Sequence, residues 1–167
     1  MANDTPIAFF LTWTTYGTWL PGDGRGWVEY QKGFQLPDRI RELEAAARMI
    51  DDACRLLPHQ RDRVEQQVAE TCRFRGWILH AVNCRSNHLH VVVSATVPPK
   101  GIREQLKAWC SRRLNEQQRE LGIPEEERRS NWWSERGSIR WIFTESDLAA
   151  AIDYVLNQQD NPQRYVR

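Results

Sequence analysis

No apolar run in this sequence approaches the roughly 18 residues of a membrane-spanning helix, and mean hydropathy is −0.67. The amino terminus, MANDTPIAFFLTW, has no basic segment ahead of its apolar stretch, so a secretory leader is not expected. Cysteine is sparse and scattered. Cys54, Cys72, Cys84 and Cys110 form no Cys-x-x-Cys pair, which argues against a zinc site or a disulfide framework and suits free thiols in a reducing cytoplasm. An excess of one charge is missing too: 23 Lys and Arg face 22 Asp and Glu, leaving a formal +1. There is no internal repeat and no low-complexity tract. The pair His88 and His90 is not extended to a third alternating histidine, since position 92 is valine. That removes the His-x-His-x-His pattern of histidine-triad nucleotide hydrolases.

What is present fits one folded domain, residues 1–167, with 41% hydrophobic residues and eight tryptophans. The charges, though balanced overall, are unevenly placed. From Arg73 to Phe143 there are 13 Lys and Arg against 7 Asp and Glu, while the rest of the chain is net acidic. A phosphate-binding face leaves such a footprint, and so does an ordinary solvated helix.

The element order is legible from periodicity. Ile7 to Trp13 alternates as a strand and is followed by a glycine-rich turn region, Tyr16 to Gly26. Ile40, Leu43, Ala47, Ile50, Cys54 and Leu57 recur at helical steps and predict one amphipathic helix closed by Pro58. A second helix is expected over about 60–74. Trp77 to Asn83 and Asn87 to Ser94 read as two strands of a hairpin, and Ile102 to Leu121 as a basic helix. A polar loop with Trp132 and Trp133 leads to a fourth strand, Ser138 to Thr144. Thr144-Glu145-Ser146-Asp147 then opens a last helix in the manner of a capping box. Strand, helix, strand, strand, helix, strand is the split βαβ plan. The expected fold class is therefore α+β, a ferredoxin-like (RRM-like) antiparallel sheet with helices on one face and an additional C-terminal helix.

His88 and His90 lie two apart in the expected strand, so both face the same way, opposite to Leu89, Val91 and Val93. Two adjacent imidazoles suit a metal, a phosphate or a polar rim. On the last helix, at about 100° per residue, Leu148, Ala151, Ile152 and Val155 make the apolar stripe, with Tyr154 and Gln158 stacked on its edge. Tyr154 offers a phenolic nucleophile and Gln158 a carbonyl oxygen that could join two imidazoles around a metal. A tyrosine of ordinary pKa, about 10, is a poor nucleophile at neutral pH and needs a metal or a base beside it.

These motifs, taken in order, resemble the single-tyrosine HUH transposases, the insertion-sequence and REP-associated tyrosine transposases. The residues that carry the likeness are Asn87-His88-Leu89-His90 with Val91 to Val93, Trp132-Trp133, Ser138 to Thr144, and Ala151 to Gln158, together with Phe10 to Gly22 at the start. The resemblance implies a metal-dependent single-strand DNA nuclease and strand transferase. In it Tyr154 is the nucleophile that forms a 5′-phosphotyrosine link, and His88, His90 and Gln158 hold Mg²⁺ or Mn²⁺. Position 158 is not a second tyrosine, which sets the chain apart from two-tyrosine replication initiators. The implied partner is single-stranded DNA carrying hairpins, with no membrane association, a homodimer left open, and a cytoplasmic location at the nucleoid. Arg85, Asn87, Lys107, Arg112, Arg113 and Arg140 are the candidate DNA contacts. The rival readings are a non-catalytic module of the same fold that binds single strands, and a structural protein with incidental histidines.

Overall fold

The structure is a computed structural model in which residues 4–158 are described, the side chain of Gln158 excepted. Strand β1 (Ala8–Thr14) is followed by a short ribbon, β2 (Trp27–Glu29) and β3 (Gly33–Gln35), then α1 (Arg39–Ala47) and α2 (Pro58–Arg75). The hairpin β4 (Ile78–Cys84) and β5 (His88–Ser94) leads to α3 (Pro99–Glu120). β6 (Ser138–Ile142), α4 (Glu145–Asp153) and a π-helical turn, Tyr154–Gln158, complete the described chain.

The main sheet has the order β4-β5-β1-β6 with every neighbouring pair antiparallel. Counting only these four strands along the chain, this is the strand order of the ferredoxin-like fold class that the sequence predicted. Strand periodicity then divides the residues between two faces. Phe9, Leu11 and Trp13 of β1 and Leu89, Val91 and Val93 of β5 enter the larger core with Val64, Val68, Ile102, Leu106, Cys110 and Leu114 from α2 and α3. On the other face Ala8, Ala81, Val92 and Ile142 pack against Leu148, Ala151 and Val155. The apolar stripe expected on the last helix thus meets the sheet, and the Thr144 hydroxyl accepts from the Asp147 N–H at 3.1 Å as the predicted cap. All four cysteines are buried and unpaired. Among the described residues no helix is long and apolar enough to cross a membrane.

One expected element fails. The single helix drawn from Ile40 to Leu57 ends at Ala47, none of its residues is buried, and Ile40 and Leu43 are exposed. Beyond it the chain is extended, because tertiary hydrogen bonds outcompete helix propensity there. The Asp51 carboxylate accepts from the backbone of Ser130 and Asn131 and from the Asn131 side chain. Cys54 N–H donates to Tyr16 O and Leu56 N–H to Ser86 O, both at 2.7 Å. Pro58, read as a terminator, is the first residue of α2, where its fixed φ and missing N–H cost nothing. The glycine-rich region packs onto this segment. Gly22 (φ +89°) lies so close to Asp38 O and Glu42 N that any side chain there would collide with backbone.

Candidate functional site

The two-residue period places His88 and His90 on the α4 face, ring centroids 4.9 Å apart. Their strand is central, paired with both β1 and β4, so its geometry is fixed from two sides. The turn before it is pinned as well: Thr15 N–H donates to Asn87 O at 2.9 Å, and Arg85 N–H to His88 O at 2.8 Å. The extended segment that replaced the expected helix adds the Leu56 bond to Ser86. Glu65 of α2 accepts from the Cys84 N–H at 2.8 Å.

Each imidazole has an orienting partner. His88 Nδ1 contacts Asn87 Oδ1 at 2.7 Å, and His90 Nδ1 contacts Thr12 Oγ1, across the β1–β5 register, also at 2.7 Å. Phe10 stacks on the His90 ring, centroids 5.3 Å apart and planes 15° from parallel. With Nδ1 engaged on both rings, the nitrogen suited to ligate a metal is Nε2. Burial pushes the His90 pKa down to about 3, with the neighbouring His88 adding to it. His88 is lowered too, by burial first and then by the Arg85 charge. Both rings are therefore neutral at ordinary pH, the form that binds metal without first losing a proton.

Tyr154 stands over this pair. It caps α4 at the start of the π turn, and its ring meets His90 edge-on at 5.7 Å and Phe10 at 6.1 Å. A π turn is uncommon and often marks a functional position in a helix. Asn83, opposite His90 in the β4–β5 register, donates through Nδ2 to Val155 O at 2.9 Å and ties the turn to the sheet. The Gln158 side chain lies outside the described residues. Among the described residues no three His, Cys, Asp or Glu side chains gather as a metal site. The donor set at this face is thus two neutral imidazoles. It fits a divalent cation only with oxygen donors completing the shell.

The candidate DNA contacts divide. Arg140 of β6 holds its guanidinium 5.9 Å from the Phe10 ring centroid, beside the histidines, and Arg85 lies in the hairpin turn. Asn87 is at the site, with its side chain on His88. Lys107, Arg112 and Arg113 belong to α3 on the opposite face. Lys107 donates to Ser134 O and Arg136 O, Arg112 lies over Trp109, and Arg113 pairs with Glu116. Trp132 and Trp133 are anchors, donating to Asn115 Oδ1 and Lys107 O. A cavity of about 910 Å³ between α3 and residues 130–137 is likewise remote from the histidines, and its buried Arg103 donates to Gly137 O. Phe10, Thr12 and Asn83 were not singled out from sequence. Alternation along β1 and the short hairpin link, which sets Asn83 opposite His90, were the available signals.

No protein-family model matches the chain, and no curated protein matches it. Among solved structures it is similar to a REP-associated tyrosine transposase bound to a REP hairpin. That likeness covers 99% of this chain and 74% of the other at 13% identity, with a TM-score of 0.51. It is also similar to a proposed transposase from Deinococcus radiodurans R1, over 95% of each chain at 16% identity and a TM-score of 0.48. The chain therefore shares its fold with a REP-associated tyrosine transposase, a member of the group its motifs resemble.

Proposed function

We propose that this chain is a single-tyrosine transposase of the HUH type, a nuclease and strand transferase for single-stranded DNA. The observation that carries the reading is the convergence of Tyr154 with His88 and His90 on one face of the sheet, the Tyr154 ring against His90. Residues 64 positions apart in sequence meet there in the order the motifs implied.

His88 and His90, with Gln158 as the third donor, would hold Mg²⁺ or Mn²⁺. Bound there, the cation supplies Lewis-acid polarisation of a non-bridging phosphate oxygen. Tyr154 does the bond-making. Its phenolic oxygen loses a proton and bonds to phosphorus as the bond from phosphorus to the 3′ oxygen breaks. The 3′ oxygen takes up a proton and leaves as a hydroxyl, and the 5′ phosphate stays on Tyr154. Attack by another 3′ hydroxyl reverses the step and joins strands without an outside energy source. Asn87 Oδ1 holds Nδ1 of His88 and the Thr12 hydroxyl holds Nδ1 of His90, which sets the orientation of each ring, and the Phe10 stack keeps the His90 plane fixed. Arg140, beside the Phe10 ring, and Arg85, in the hairpin turn before His88, are the basic groups offered to the DNA backbone.

The structural neighbour bound to a hairpin supports hairpin DNA as the substrate class. The test uses labelled single-stranded hairpins drawn from the flanks of the gene, with Mn²⁺ or with EDTA. A covalent adduct that needs the metal and disappears in Tyr154→Phe is the expected result. Binding without an adduct across several hairpins and metals would transfer the reading to a non-catalytic single-strand-binding module.

A further inference from the structure

We infer that Asn83 is a positioning residue, the latch that holds the tyrosine-bearing turn in register over the histidine pair; this rests on the reading of Tyr154 as nucleophile. Helix α4 has only nine residues, and together with the π turn it meets the sheet through small or branched apolar side chains: Leu148 and Ala151 of the helix and Val155 of the turn against Ala81 and Val92. Apolar packing sets how close the helix lies. It is non-directional, so it does not set where the next turn points.

A directional contact is supplied by the hydrogen bond from Asn83 Nδ2 to Val155 O at 2.9 Å, which crosses from the sheet to the turn. It acts on the residue next to Tyr154, within a π turn, where backbone geometry departs from the α-helix. Its other end is on the same rung of the sheet as His90, since Asn83 and His90 are direct partners in the β4–β5 register. One rung therefore fixes both the imidazole and the turn that carries the phenol. A shift in either reaches the other across the pairing of edge strand β4 with β5. Positional error of about 1 Å between reacting groups can cost on the order of a hundredfold in rate, which is the scale a latch controls.

Asn83→Ala removes the donor. Asn83→Asp keeps the shape but offers a carboxylate to a carbonyl oxygen. Hydrogen-exchange mass spectrometry on the whole protein is the first measurement, because it needs no activity. Amides of residues 148–158 should exchange about tenfold faster in both variants, while those of residues 78–94 keep the native rate. Single-turnover adduct formation with hairpin DNA and Mn²⁺ is the second. Its maximal rate should fall at least tenfold in both variants, with the DNA concentration for half-saturation unchanged. Native exchange at residues 148–158 in both variants would overturn the latch. So would faster exchange combined with an undiminished adduct rate. If the unmodified protein forms no adduct, the nuclease reading fails, and exchange alone then decides whether Asn83 holds the turn.

Discussion

The two faces of β1 and β5 are built from alternate residues of the same two strands, yet they differ in kind. The face toward α2 and α3 presents Phe9, Leu11, Trp13, Leu89, Val91 and Val93, all 4% exposed or less, under two long helices. The face toward α4 presents Phe10, Thr12, Thr14, His88, His90 and Val92 under one short helix and a π turn. The first face is apolar burial, which hydrophobic transfer accounts for, except that the Trp13 indole N–H is buried there without a hydrogen-bond partner. On the second, each polar side chain that is buried is matched to a partner, which is what a polar group costs when it leaves water. The period of two thus separates stability from chemistry within a single strand.

The sharpest way to break this division is to truncate the first face. Leu89, fully buried, lies between His88 and His90 in sequence and points away from both. Leu89→Ala should lower unfolding free energy by about 2–5 kcal/mol, read from urea denaturation midpoints. At low temperature, where the variant is folded, its affinity for Mn²⁺ should stay within about twofold of native, because the imidazoles point to the other face and keep their Asn87 and Thr12 partners. A large loss of metal affinity without unfolding would mean that the faces are coupled through the strand itself.

A smaller effect is expected where the faces touch. Gly137 (φ +145°) sits so tightly against Thr12 O that an added Cβ would collide with it and would stand only 3.0 Å from the Trp13 Cβ. Gly137→Ala should cost about 1–3 kcal/mol from backbone strain and overpacking. Unlike Leu89→Ala, it should also disturb Thr12 and hence His90, visible as a changed His90 ring resonance in NMR spectra of the folded protein.

How much of this was legible in sequence follows the same division. Alternation in Ile7 to Trp13 and in Asn87 to Ser94 gave the faces, and the helical period around Tyr154 gave the edge that meets them. Both are local signals with strict geometry. The helix drawn through Ile50 and Cys54 failed because the competing bonds come from Tyr16, Ser86, Ser130 and Asn131, none of them local. On its charge Lys107 is a candidate phosphate contact, and charge alone does not reveal partners. Its ammonium is held by two backbone carbonyls, and burial lowers its pKa. Asn83 was overlooked because its role depends on register, which a strand pattern does not reveal until the hairpin is closed.

Acid should separate the faces by charge. His90 has a folded pKa of about 3 against about 6.5 when unfolded, so between those values the unfolded chain binds a proton that the folded chain refuses. More protons on the unfolded state means that stability rises with pH, so it declines as pH falls below about 6.5 and keeps declining toward 3. His88, lowered in the same direction, adds to the slope. The limit for one histidine is about 1.4 kcal/mol per pH unit. Urea midpoints in EDTA from pH 7 to 5 should therefore slope in the unmodified protein and slope less in His90→Gln. The window stays above the range where Asp23 and Asp51, both lowered, begin to protonate. Equal slopes in the two proteins would show that the His90 ring is better hydrated than its 8% exposure implies.

The smallest change proposed is the loss of one hydroxyl. Thr12→Val keeps the shape and β-branching of β1 but removes the partner of His90 Nδ1. Two constraints act on that ring. The Phe10 stack fixes its plane, and the Thr12 hydroxyl fixes which nitrogen faces β1. Removing only the second should cost about 1 kcal/mol in stability, the value of one hydrogen bond, and roughly tenfold in Mn²⁺ affinity measured by calorimetry. Thr12→Ser retains the hydroxyl and should keep native affinity. If valine and serine bind Mn²⁺ equally well, the stack alone orients His90, and the polar face would depend on shape as much as the apolar one does.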